Sequence, residues 1–147
     1  MFRSREGQSL VEAIVAIGIS VVIITGLVVL AVGAVRTATL SRNRAIAVQY
    51  AQEGIEALRS IRDRDFAVLG SLASNTNYQL VPPGSQWNVA PGTRNITVSG
   101  VVFQQKFVKS TAAPASASKP RFTVTVSWTD SAGSHTADLV TYLSDWR

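Results

Sequence analysis

One uncharged apolar stretch, residues 13–35, constrains the fold of this chain more than any other feature of its sequence. It contains 23 residues without charge or proline, and 18 of them are Ala, Val, Ile or Leu. As an α-helix it would be about 34 Å long, enough to cross the hydrocarbon core of a bilayer. In lipid every peptide group must bond within its own segment, so the many β-branched residues do not prevent a helix. We therefore expect a single membrane-spanning helix.

The carboxylate of Glu12 directly precedes this stretch. The 14 Ile, Val and Leu residues of the stretch favour insertion, at about −0.4 kcal/mol each or roughly −6 kcal/mol together. Even at the membrane centre, an acid such as Glu12 would cost only about 3 kcal/mol. Insertion therefore tolerates the acid.

The flanking charges give opposite signals about orientation. Arg3 and Arg5 favour a cytoplasmic N-terminus, whereas three arginines that follow the stretch, at positions 36, 42 and 44, favour the reverse. The net charge of +5 is also dispersed, since it sums to zero over residues 1–12, +2 over 36–69 and +3 over 70–147. We expect the N-terminus in the cytoplasm and no concentrated basic patch for nucleic acid.

A short motif, Gly7-Gln8-Ser9-Leu10-Val11-Glu12, joins the basic head to the apolar stretch. It resembles the signal of type IV prepilins and of the pseudopilins of type II secretion. In that family a membrane peptidase cuts after the glycine, and a glutamate follows five residues later. Ser9, Leu10 and Val11 match the small hydroxyl residue and the two aliphatic residues that the family places before this glutamate.

The resemblance implies a structural subunit of a type IV pilus or a related filament, made as a precursor with a leader over residues 1–7. Cleavage would fall between Gly7 and Gln8, with N-methylation of Gln8, where most members of the family have Phe or Met. Glu12 would guide assembly by pairing with the Gln8 amine of a neighbouring subunit. The implied partners are other pilin subunits, a prepilin peptidase, a membrane platform protein, an assembly ATPase and the lipid bilayer. The implied location is the cytoplasmic membrane, and the cell surface after assembly.

Residues 36–66 lack proline and continue the helical pattern. An apolar stripe of Val48, Ala51, Ile55, Leu58 and Ile61 recurs at steps of three and four residues, which predicts a helix face that covers a sheet. We expect one helix from about residue 9 to 66, with residues 8–35 as the membrane and filament-core part and 36–69 as an amphipathic continuation. Gly54 marks either a bend or a close contact.

Residues 70–147 predict a small antiparallel sheet, so the expected fold class is α+β, with the long N-terminal helix packed against this sheet as in pilins. Strand signals cover residues 78–81, 86–89, 94–99, 101–108, 121–129 and 135–143. Residues 110–120 are rich in Ala, Ser and Pro and predict a mobile loop. The chain has no cysteine, which excludes disulfides, thiol nucleophiles and Cys-ligated metals.

Catalytic groups are scarce in the sequence. His135 is the only histidine, and Ser134 and Asp138 cannot converge on it from one strand, because neighbouring residues alternate between faces. We expect no enzyme activity, no metal site and no cofactor.

Two other functions stay open at this point. One is a membrane-anchored binding domain that never polymerises. The other is a tip adhesin or DNA-uptake pilin, favoured by the alternation of aromatic and basic residues at Phe103, Lys106, Phe107, Lys109, Lys119, Arg121 and Phe122.

Overall fold

A computed structural model describes the backbone of residues 6–82 and 86–145 and the side chains of residues 10–82 and 86–145. The chain divides into two compact units, one that ends at Arg42 and one that begins at Asn43. The first unit is the N-terminal part of helix α1 (Glu6–Arg64). This helix is long and apolar enough to cross a membrane, and none of its most apolar window is buried.

Helix α1 ends at Arg64, and a short helix α2 (Phe66–Gly70) follows it. Asp65 separates them because its backbone is extended and its carboxylate accepts a hydrogen bond of 2.9 Å from the N–H of Ala67. Aspartate is a preferred residue at this capping position. The helix expected to continue to about residue 66 thus ends at Arg64, and α2 covers the next residues.

Six strands follow: β1 (Asn77–Val81), β2 (Asn88–Pro91), β3 (Arg94–Val98), β4 (Val101–Ser110), β5 (Arg121–Asp130) and β6 (Gly133–Tyr142). Every pairing is antiparallel, in the order β2-β1-β4-β5-β6. Strand β3 pairs with the first half of β4, whereas β1 pairs with its second half. The structure confirms the predicted α+β fold of a long N-terminal helix and an antiparallel sheet.

The core of the second unit lies between one face of α1 and one face of the sheet. The helix contributes mainly small residues there, with Ala47, Ala51, Gly54 and Ala57 all buried. The sheet contributes large ones, including Phe103, Phe107, Phe122, Val124 and Val126, all 0% exposed. Small residues on the helix let the bulky side chains of the sheet approach its backbone, which is how two elements fill an interior without voids.

Gly54 is a point of close approach rather than a bend. A Cβ atom built on it would lie 2.8 Å from Cγ1 of Val124 and 3.1 Å from Nε2 of Gln105. The predicted stripe is rotated slightly as a result. Ala51, Leu58 and Ile61 are buried as expected, whereas Val48 and Ile55 lie at its half-buried margin.

One strand and one loop differ from the sequence-based prediction. The strand predicted at residues 86–89 is displaced to β2, and it includes Pro91 because β2 lies at the sheet edge, where a proline removes no ladder bond. In the segment predicted as a mobile loop, Ala115 and Pro120 are buried. The carbonyl of Pro120 accepts a hydrogen bond of 3.2 Å from the N–H of Leu143.

Candidate functional site

The predicted assembly site lies at the start of α1. Gly7 and Gln8 belong to the helical backbone, but the side chain of Gln8 lies outside the described residues. Glu12 is exposed and stands among the exposed aliphatic side chains of Leu10, Val11 and Ile14. One carboxylate is thus displayed at the end of a surface that is otherwise uncharged and mostly apolar over residues 10–35.

The polar side chains within the apolar stretch are satisfied by the helix itself. The hydroxyl of Ser20 donates to the carbonyl of Ala16, and that of Thr25 donates to the carbonyl of Val21, both at 2.8 Å. In a low-dielectric environment an unpaired hydroxyl would be costly. The internal bonds therefore make the helix surface suitable for contact with lipid or with another apolar helix.

Three glycines interrupt this surface, Gly18, Gly26 and Gly33. A Cβ atom built on any of them would meet nothing within 4 Å in the described structure. Their small size matches the sequence-based expectation that they allow close approach by another helix.

His135 lies in a cluster with Asp130 and Trp128. Its Nε2 lies 3.1 Å from Oδ1 of Asp130, and its ring stacks on Trp128 at a centroid distance of 5.2 Å. Hydrogen bonds from the N–H of Ala132 and then from His135 lower the pKa of Asp130 below its ordinary value of 3.8. Ser134 occupies the opposite face of β6, as the alternation predicts.

The aromatic and basic residues of β4 and β5 do not form one surface. The rings of Phe103, Phe107 and Phe122 are fully buried against the helix and cannot stack on nucleic-acid bases. Lys109 is buried as well, whereas Lys106 is half-buried and Lys119 is exposed. The aromatic residues of the pattern that suggested DNA contact are thus core residues.

Lys109 joins the sheet to the segment that follows α2. Its ammonium donates to the carbonyls of Gly70 and Leu72, while its own carbonyl accepts a 2.9 Å hydrogen bond from the N–H of Asn75. A cation at a helix C-terminus satisfies carbonyls that have no partner within the helix. No sequence pattern indicates this contact, because the partners of Lys109 are main-chain atoms that are distant in the sequence.

A polar network inside the second unit was not predicted from the sequence either. Gln105 points inward from β4, and its Nε2 donates to the carbonyl of Tyr50 at 2.7 Å. Arg94 donates to Oε1 of Glu53 at 2.9 Å and to Oε1 of Gln105 at 3.3 Å, and its guanidinium lies 5.7 Å from the ring centroid of Trp87. The network ties α1 to strands β3 and β4.

In the described parts of the chain, no three His, Asp or Glu side chains lie close enough together to hold a metal ion. Comparison of the chain with known protein families, with curated proteins and with solved structures gives no match.

Proposed function

We propose that this chain is a structural subunit of a type IV pilin-like filament, stored in the cytoplasmic membrane and assembled through residues 8–35. One observation carries the proposal: an exposed apolar helix displays a single carboxylate, Glu12, five residues after Gly7, and is followed along the chain by an amphipathic segment covered by an antiparallel sheet. The role is structural and not catalytic.

The exposed surface of the first unit needs a cover. Aliphatic side chains from Leu10 to Val35 remain largely exposed, for example 71% for Val22 and 71% for Leu30. Lipid tails would cover them in the membrane, and apolar helices of neighbouring subunits would cover them in a filament. The two environments are similarly apolar, so transfer from one to the other requires little change in the solvation of this helix.

Glu12 would fix the axial alignment of one subunit's helix against its neighbour, which an apolar surface alone does not specify. Cleavage after Gly7 would create an ammonium group on Gln8, and this amine could pair with Glu12 of the adjacent subunit. At a separation of ~4 Å and an effective dielectric constant of about 20, the attraction is on the order of 4 kcal/mol, reduced by desolvation of the two ions. An uncleaved chain lacks this amine, so processing would act as the switch for assembly.

The proposal specifies a topology and a set of partners. The N-terminus lies in the cytoplasm before processing, and residues 70–147 lie on the other side of the membrane and then on the cell surface. The partners are other subunits, a prepilin peptidase, a platform protein and an assembly ATPase. N-methylation of Gln8 would accompany the cleavage.

N-terminal sequencing and intact-mass measurement of the chain from membrane and sheared-surface fractions test this function. We expect a mature chain that begins at Gln8, with the surface fraction lost when the peptidase is absent. A chain that still begins at Met1 in cells with active peptidase would contradict the proposal and indicate a membrane-anchored binding domain. A processed chain found only at low copy in filaments would instead indicate a tip subunit.

A further inference from the structure

The outward face of the sheet contains a trough with a volume of about 530 Å³. It lies where β4 begins, β5 ends and β6 begins, and its outward-facing side chains are Val102, Gln104, Ser127, Thr129, Ser134 and Thr136. The strand register places these side chains in rows, with Ser127 between Gln104 and Thr136. The volume lies within the range of small-molecule sites, about 300–1,000 Å³.

The chemistry of these side chains is unusual for such a volume. Five of the six carry a hydroxyl or an amide, Val102 is the only aliphatic one, and none is charged. Small-molecule sites are more often lined by apolar and aromatic groups. These six side chains therefore offer no cation for a phosphate.

The polar groups of the trough retain most of their hydrogen-bonding capacity. Thr129 and Ser134 share one hydrogen bond of 3.2 Å between their hydroxyl oxygens. The side chains of Gln104, Ser127 and Thr136 make none with the described part of the chain, in contrast to Gln105 on the opposite face. Each hydroxyl can donate one hydrogen bond and accept two, and each amide can do both.

We propose that this trough binds a short, neutral oligosaccharide. Sugar hydroxyls both donate and accept, so they complement a row of hydroxyls and amides without needing a fixed polarity at each position. An extended peptide fits less well, because peptides add to a sheet edge and the backbone groups of β4 and β5 are already paired on both sides. Asp130 also lines the trough, but its carboxylate is already hydrogen-bonded to the N–H of Ala132 and to His135.

Saturation-transfer NMR tests the proposal with chitotriose, maltotriose and cellotriose as probes. The full chain is studied in lipid nanodiscs, since maltoside detergents would compete as sugars, and in the unassembled state, so that filament formation does not affect the result. We expect saturation to reach at least one trisaccharide. A Ser127→Ala/Thr136→Val double variant should reduce binding at least about fivefold, since each removed hydrogen bond weakens it severalfold.

Thr125→Val provides the matched control, because Thr125 lies on the same face of β5 but outside the trough. This variant should bind like the unmodified chain. Gln104→Ala, a single change at an exposed position, gives the same test if the double variant has a lowered unfolding midpoint. Failure of all three sugars to receive saturation, or equal binding by the trough variants and the unmodified chain, would overturn the proposal.

Discussion

The side-chain amide of Gln105 donates a 2.7 Å hydrogen bond to the main-chain carbonyl of Tyr50, which joins the middle of the sheet to the C-terminal part of helix α1. Gln105 is only 1% exposed, so its amide cannot exchange this partner for bulk water. Arg94 uses the other end of the same amide and continues to Glu53. The bond thus fixes how the helix and the sheet meet within the second unit.

Replacement of Gln105 by Ala should lower the free energy of unfolding by about 2 kcal/mol or more, because a buried hydrogen bond is lost and a cavity is left. The unfolding midpoint, followed by circular dichroism in nanodiscs, should fall by roughly 10 °C. Gln104→Ala is the matched control, since Gln104 is exposed on the other face and should change stability by less than about 0.5 kcal/mol. Equal midpoints for the two variants would contradict the structural role of Gln105.

Gly54→Ala should destabilise the second unit although alanine favours helices. The added Cβ would lie 2.8 Å from Cγ1 of Val124, and overpacking of this kind costs about 1–3 kcal/mol against a gain of about 1 kcal/mol in helix propensity. Urea unfolding should show a net loss that Val124→Ala partly reverses in the double variant. Gly70→Ala is the control, because a Cβ there meets nothing within 4 Å.

Lys109→Met should loosen the segment after α2 before it affects the rest of the sheet. The ammonium of Lys109 holds the carbonyls of Gly70 and Leu72, and methionine would leave both without this donor. Hydrogen exchange should accelerate in peptides covering residues 66–76. The same substitution at half-buried Lys106 should leave exchange there unchanged, and acceleration in both variants would argue against a local role for Lys109.

The contribution of Asp130 to stability should depend on pH. The pKa of this carboxyl is lowered from 3.8, chiefly by the N–H of Ala132 and then by His135. A lowered folded-state pKa stabilises the fold above the unfolded-state value, and the stabilisation disappears as the pH falls through the folded-state value. The difference in unfolding midpoint between the unmodified chain and Asp130→Asn should therefore shrink as the pH falls below about 3.8. A difference of unchanged size between about pH 5 and pH 2 would exclude this linkage.

Glu12→Ala should leave membrane insertion intact and impair filament assembly, because the apolar stretch inserts by itself whereas registration is proposed to need the carboxylate. Fractionation would measure insertion, and recovery of sheared surface material would measure assembly. Glu56→Ala is the control, since Glu56 is an exposed acid near the other end of α1, paired with Arg59 at 2.6 Å. Normal incorporation of the Glu12 variant would exclude the charge-pairing role.

Sequence periodicity predicted the elements whose burial follows hydrophobicity. In β5, Phe122, Val124, Val126 and Trp128 alternate with polar residues, and all four are buried. The helix face was less predictable, because Ala47 and Gly54 are buried on it while carrying almost no apolar surface of their own. A pattern that ranks residues by hydrophobicity favours Val48 and Ile55 instead.

The polar contacts were not predictable for a different reason. Gln105 and Lys109 occupy inward positions of β4 where alternation calls for apolar residues, and their partners are main-chain carbonyls far away in the sequence. Main-chain carbonyls leave no trace in a sequence. Gly7 and Glu12, by contrast, were singled out by the resemblance of residues 7–12 to the prepilin signal, and their roles remain proposals.

The small-residue face of α1 also bears on the order of synthesis. The chain is made from its N-terminus, so Ala47, Ala51 and Gly54 emerge well before Phe103 and Val124, which later cover them. During that interval the buried positions 47, 51, 54 and 57 present only alanine and glycine to water, and these offer little apolar surface for aggregation. The large aromatic residues arrive together with the hairpins β3–β4, β4–β5 and β5–β6, which pair neighbours in sequence and can close rapidly. The nascent helix can therefore remain uncovered until the sheet is made, because it does not itself expose the large aromatic residues of the core.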